Sequence, residues 1–267
     1  MKGEKSFMKK KIFKTSALLF AVSLVFMLAA CSGTSSDATT VTTEPPVISK
    51  TAQPTTVTAA LDYFNKVMDA VKTGKPAVSP KVSKDISNVV CDNASLKAAI
   101  PTLKSYMLST KADSAKYGAD LKNIFPVKGQ DWGSRLTAAD VRYANCLEAL
   151  KTYEITIRFN DATEPAPLSS SLGKAFDLTT KDAILKEFGK ADSYLTVDKL
   201  DLLYTGCYIL CSVDRATDQV LSVTYIMNVN ATSTVTGTGS LEAMGKVPLS
   251  LTYSSNVTYT LDWTKPS

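Results

Sequence analysis

The sequence predicts an α+β fold: a long N-terminal amphipathic helix packed on a curved antiparallel sheet, with two or three short helices. Three observations lead there. Residues 57–73 carry apolar side chains at three- and four-residue steps. Residues 152–160, 219–230 and 248–263 alternate apolar and polar with period two, on one face only. The connections EALK (148–151) and DRATDQ (214–219) are short and polar, which suits antiparallel hairpins.

The helix over 57–73, VTAALDYFNKVMDAVKT, places Val57, Ala60, Leu61, Phe64, Val67, Met68 and Val71 on one stripe. Thr56 is the expected N-cap and Gly74 the expected stop. Asp62, Lys66, Asp69 and Lys72 fall off the stripe and are expected in water. A weaker helix over 93–108 brings Leu96, Ile100, Leu103 and Met107 into register, with Pro101 expected to divide it or to begin its second piece. A third, over 180–188, has Thr179 to cap it and Gly189 to end it. In the strands, Tyr153, Ile155, Ile157 and Phe159 share a face, as do Leu221, Val223, Tyr225, Met227 and Val229. Residues 248–263 are expected to form one bent strand or two, with the break at Ser254–Asn256. One-sided alternation means one sheet face is buried and the other wet.

The first thirty residues read as a targeting segment. Residues 1–16 are basic and 17–30, ALLFAVSLVFMLAA, are apolar but shorter than the roughly 20 residues a membrane-spanning helix needs. Translation starting at Met8 would leave a sufficient basic stretch. Leu28-Ala29-Ala30-Cys31 resembles the lipobox of bacterial lipoproteins. The resemblance implies attachment of a diacylglyceryl group to Cys31, cleavage before it, and a new N-terminus open to acylation. It also implies a location on the extracytoplasmic face of the cell membrane. Residues 31–55 then form a lipidated tether: 14 of the 24 residues from 32 to 55 are Ser, Thr or Pro, too polar to fold alone. Residues 56–267 are expected to form a single domain.

The formal charge of +5 resides wholly in residues 1–30, which hold six lysines and one glutamate. The rest has 24 basic and 24 acidic residues, so it lacks the basic footprint of a nucleic-acid binder. The stretches 125–141, 146–161, 173–177 and 204–225 together are similar to uncharacterised surface lipoproteins of Gram-positive anaerobes. That resemblance implies an envelope location and no particular activity.

The chain contains no histidine, which removes imidazole acid–base chemistry and Ser-His or Cys-His catalysis. Ser171 and Lys174 match the S-x-x-K spacing of penicillin-interacting enzymes, but Lys72-Thr73-Gly74 precedes them where that family's K-T-G follows. Asp161 with Glu164, and Asp192, Asp198 and Asp201, are the carboxylates a hydrolase would need. Asp214 and Asp218 fit hairpin-turn chemistry better than a calcium site. No metal and no cofactor is expected.

Four cysteines follow Cys31. In YTGCYILCSVD (204–214), Cys207 and Cys211 share a strand face but lie roughly 13 Å apart. A disulfide needs Cα atoms within about 7 Å. Oxidised, each must find Cys146 or Cys91, with Cys146 to Cys207 or Cys211 the expected bridge. Buried free thiols are the alternative. Tyr204 and Tyr208 fall on the other parity and, with Trp132, are the expected binding surface. The functional expectation is a lipid-anchored, non-catalytic binding module for an apolar molecule, a peptide or a glycan. The alternatives are an assembly factor binding other envelope proteins and a carboxylate-dependent hydrolase.

Overall fold

The computed structural model describes residues 48–108, 112–178, 180–182, 185 and 195–266. The signal segment, Cys31, most of the tether, Thr179, Gly189, Asp192 and most of the 180–188 helix lie outside the described residues, as do the side chains of Leu103 and Met107.

Seven strands form one antiparallel sheet: β1 (Ala77–Val90), β2 (Val141–Glu148), β3 (Thr152–Phe159), β4 (Ala162–Thr163), β5 (Leu195–Asp214), β6 (Val220–Gly237) and β7 (Lys246–Asp262). Their order is β1-β7-β6-β5-β3-β2, with β4 pairing β5. Helices α1 (Val57–Gly74) and α2 (Ala94–Met107) complete the regular structure with two short 3-10 turns. The fold class is therefore corrected from α+β to a mostly-β molecule, 44% strand against 19% helix. At 18 residues, α1 is shorter than the 20-residue β5.

The strands that the sequence hid are those without apolar alternation. In β1 the outward positions are Ser79, Lys81, Ser83, Asp85 and Ser87, and the inward ones include Pro80 and Lys84. The far part of β6, residues 230–237, is similarly polar, while in the far part of β5 a register shift between Val197 and Lys199 breaks the period of Leu195, Val197, Leu200 and Leu202. Their pairing with longer neighbours, rather than their own pattern, makes them strands. β7 runs unbroken: its register with β6 has no shift from Ser222↔Thr260 to Thr236↔Lys246. It is one strand and not two, since Ser254, Ser255 and Asn256 pair in unbroken register with Asn228, Met227 and Ile226.

Helix α1 forms where its stripe requires. Thr56 Oγ1 accepts from Ala59 N at 3.1 Å, and left-handed Lys75 closes the other end, its N–H on the Val71 carbonyl. Gly74 is needed because Trp263 packs against it where a Cβ would stand. Leu61, Phe64, Met68 and Val71 are fully buried, each contributing roughly 1.5–3 kcal/mol. The expectation for Lys72 is corrected: it is buried, its Nζ donating to the carbonyls of Leu121, Lys122 and Val127. Burial pulls its pKa down to about 8. Helix α2 is one helix with Pro101 inside it, capped by Asn93, whose Oδ1 accepts from Leu96 N.

Irregular chain does much of the covering. Leu121, Phe125, Leu136, Leu172 and Phe176 come from non-helical segments and join α1 over the inner sheet face. A second, smaller cluster of Cys91, Leu96, Leu195, Val235, Val247 and Leu249 fills the far end beneath α2. The end of the expected tether is docked as a strap. Lys50 N donates to the Arg215 carbonyl at 2.7 Å and Thr51 Oγ1 to Asp218 Oδ2 at 2.6 Å. Tyr63 OH donates to Asp218 Oδ1, Tyr153 OH to the Thr51 carbonyl, and Gln53 Nε2 to the Cys146 carbonyl.

Candidate functional site

The outer face of the sheet is built row by row by its register. Tyr143 on β2 stands opposite Arg158 on β3, Arg158 opposite Tyr208 on β5, and Tyr208 opposite Ile226 on β6. The row continues through Asn256 on β7 to Ser83 on β1. With strands roughly 4.8 Å apart, one arginine is thus flanked by two tyrosines. The Arg158 guanidinium lies 5.6 Å from the Tyr208 ring centroid, a cation–π contact. Tyr143 is 45% exposed.

A bulge in β5 deepens this row into a recess. Thr205 pairs with Asn228 and Tyr208 with Ile226, so Gly206 and Cys207 together oppose one residue. Gly206 takes φ +57, which a side chain would resist. Its N–H donates to Asp161 Oδ1 at 3.2 Å. The recess holds about 280 Å³ and is lined by Arg142, Tyr143, Arg158, Asp161, Gly206 and Tyr208. Phe159 and Cys207 form its floor, Phe159 fixed edge-on against Phe176 at 5.3 Å. Arg142 has no ion pair among the described residues.

The bulge also redistributes the tyrosines. Parity runs Leu200, Leu202, Tyr204 inward, then slips so that Cys207, Ile209, Cys211 and Val213 are inward. Tyr204 is consequently in the core, not on the open face, while Tyr208 is outward as expected. Trp132 belongs to neither: it sits half-buried in the loop packed on α1, with the Arg135 guanidinium 5.4 Å from its ring. Arg142, Tyr143, Arg158 and Asp161 carried no motif. The alternation of β3 places Arg158 outward, and the EALK hairpin brings Tyr143 opposite it. The partnership with Tyr208 needs the long-range β3–β5 register.

The four cysteines of the body are free and buried. Cys146 pairs with Ile155 and Ile155 with Cys211, so the two sulfurs are separated by a whole strand, roughly 10 Å. That exceeds disulfide reach, and the expected Cys146 bridge is not formed. Cys207 lies at the bulge and Cys91 in the second cluster. Burial raises the Cys146 thiol to about 11 and raises those of Cys207 and Cys211 as well.

Ser171 and Lys174 do converge, but on a third residue. Lys174 Nζ donates to Asp140 Oδ1 at 2.7 Å and Ser171 Oγ to the same oxygen at 3.1 Å. Thr137 Oγ1 and N occupy Oδ2. Burial raises the Asp140 pKa, but Lys174, Thr137 and Ser171 outweigh it and leave it lowered. An ion-paired lysine is a poor base for its neighbouring serine. The candidate hydrolase carboxylates are similarly engaged: Asp161 by Gly206, Glu164 by Lys181, Asp198 by Thr236 and Lys246, and Asp201 by Lys199. Asp214 accepts from Thr217 N and Oγ1, a turn cap, and Asp218 serves the strap. Among the described residues no group of three or more metal-ligating side chains converges, and no helix is long and apolar enough to cross a membrane. Comparison with protein-family models, with curated proteins and with solved structures finds no match, so the site stands on its geometry.

Proposed function

We propose that this chain is a non-catalytic binding module of the bacterial cell envelope, anchored through Cys31 and recognising its ligand on the outer sheet face. The observation that carries the reading is the recess in which Tyr143, Arg158 and Tyr208 stand side by side above the β5 bulge. Aromatic rings and arginines are the side chains that concentrate binding energy on an open surface. The inner face is filled by α1 and the irregular segments, which argues against an apolar guest inside the body. The lipobox-like residues and the Ser/Thr/Pro-rich segment support the anchored location.

Co-sedimentation of the purified full chain with isolated envelope fragments tests this. The pair Arg158→Ala and Tyr208→Ala is expected to abolish co-sedimentation. The pair Lys199→Ala and Asp201→Ala, an exposed ion pair further along β5, is expected to leave it intact. Equal sedimentation of wild type and the Arg158/Tyr208 variant would remove the outer face as the binding surface.

A further inference from the structure

We infer that the recess at the β5 bulge is a carboxylate subsite for an acidic glycan. Arg142 and Arg158 hold the acid group, and Tyr143 and Tyr208 stack on the sugar. This rests on the outer-face reading above and names the ligand class.

Charge comes first. Two guanidinium groups line the recess against the single carboxylate of Asp161, whose Oδ1 already accepts from Gly206 N–H. Arg142 has no ion pair among the described residues. A planar guanidinium presents paired N–H donors that match a carboxylate in two-point fashion. The recess therefore attracts an anion.

The surroundings select the kind of anion. One row along the same face stand Asn145, Thr156, Leu210 and Thr224, Asn256 continues the recess row beyond Ile226, and Asn228 stands one row the other way. Beyond them β7 and β1 present Ser254, Thr258, Thr260, Ser79 and Ser83. These short hydroxyl and amide groups exchange hydrogen bonds with a polyhydroxylated chain without needing to bury it. Flat tyrosine rings suit the C–H face of a pyranose. An extended peptide would instead add to a free sheet edge. The recess lies over β2, β3 and β5: β3 and β5 are paired on both sides, and the edge strand β2 is bulged between Val141 and Tyr143, which breaks the regular edge an added strand needs. At about 280 Å³ it suits one sugar unit of a longer chain.

Titration of the full-length chain, purified in detergent micelles, with polygalacturonate tests the assignment. Fully methyl-esterified polygalacturonate keeps the stacking and removes the charge, and poly-glutamate keeps the charge and removes the sugar. Polygalacturonate is expected to bind, and the ester about 10-fold or more weaker. Arg142→Gln and Arg158→Gln are each expected to weaken the acid by about 10-fold and to reduce its salt dependence. Lys81→Gln, elsewhere on the same face, is expected to change nothing. Arg142 is exposed, so its variant keeps the fold intact and the test meaningful. An ester that binds as tightly as the acid would overturn the carboxylate subsite. Binding of poly-glutamate without polygalacturonate would overturn the glycan in favour of an acidic protein. Failure of all three probes would overturn the acidic glycan. In each case the outer-face reading survives if envelope co-sedimentation still depends on Arg158 and Tyr208, and falls with it otherwise.

Discussion

A hydrogen in place of a methyl at position 133 lets the loop before β2 lie on α1. A Cβ at Gly133 would collide with the Met68 backbone, while the Gly133 N–H donates to Asp69 Oδ1 at 2.7 Å. Gly133→Ala is expected to cost roughly 1–3 kcal/mol, read as a lower denaturation midpoint with unchanged slope. Asp140 makes a pH-dependent contribution. Its folded pKa is held below the unfolded value of about 3.9, so its stabilisation is full above that value. It is lost as the pH falls through the lowered folded pKa. Asp140→Asn should be less stable at neutral pH by roughly 1–3 kcal/mol and show a shallower acid decline, measured by chemical denaturation between pH 7 and 2. Lys72 runs the other way. Its folded pKa of about 8 lies below the unfolded value of about 10.4, so the unfolded chain holds more protons between them. Lys72 by itself therefore adds stability from about pH 8 to about pH 10, while the buried Cys146, Cys207 and Cys211 thiols, raised by burial, pull the other way. Lys72→Met should make the decline over that range steeper than in the wild type, measured by chemical denaturation. The burial of Lys72 was hidden from the sequence because three carbonyls of a distant loop receive its ammonium.

Among the elements, α1 was the most legible and β1 the least. The stripe of α1 belongs to its own residues, and its cap, stop and most of its buried face follow from consecutive positions, although Val57 is exposed and Tyr63 and Lys72 are buried. The fourteen residues of β1 become a strand by pairing with β7, which no local pattern announces. The β5 bulge is intermediate. Read as a regular strand, YTGCYILC puts Tyr204 and Tyr208 on one face; only the pairing with β6 shows the slip at Gly206 that sends Tyr204 inward and keeps Tyr208 outward. Gly206→Val should cost roughly 1–2 kcal/mol for a side chain in the left-handed region. It should also displace Tyr208 from Arg158 and weaken ligand capture more than stability, measured by co-sedimentation beside thermal unfolding. The cysteines flanking that stretch were readable as far as geometry went, since Cys207 and Cys211 point inward together. That neither reaches Cys146 depends on the strand order.

At the scale of the molecule, what the sequence conveyed was antiparallel pairing and a one-sided core. What it concealed was proportion. The sheet outweighs the helices because β1 and the far parts of β5 and β6 extend it beyond the strands whose alternation is legible. The far parts are closed by the small cluster around Cys91, Leu96 and Val247, whereas the other end is closed by α1 and most of the core. Amides of β6 beyond Thr232 should therefore exchange with solvent about 10-fold or more faster than those near Val223, since fewer buried contacts hold them. Uniform protection along β6 would show a single cooperative unit instead. The strap decides how such a body moves when it is held. The described chain begins at exposed Ile48, beside the turns that follow β2 and β5, at one tip of a sheet whose longest strand spans roughly 65 Å. Anything gripping the polypeptide upstream makes that tip a pivot. The Tyr143–Arg158–Tyr208 row rides roughly 20 Å from it and sweeps a narrow arc, while the β6–β7 tip swings through a wide one. A site near the pivot searches little volume, so its effective concentration is high for a polymer lying close to the base and low for one passing overhead.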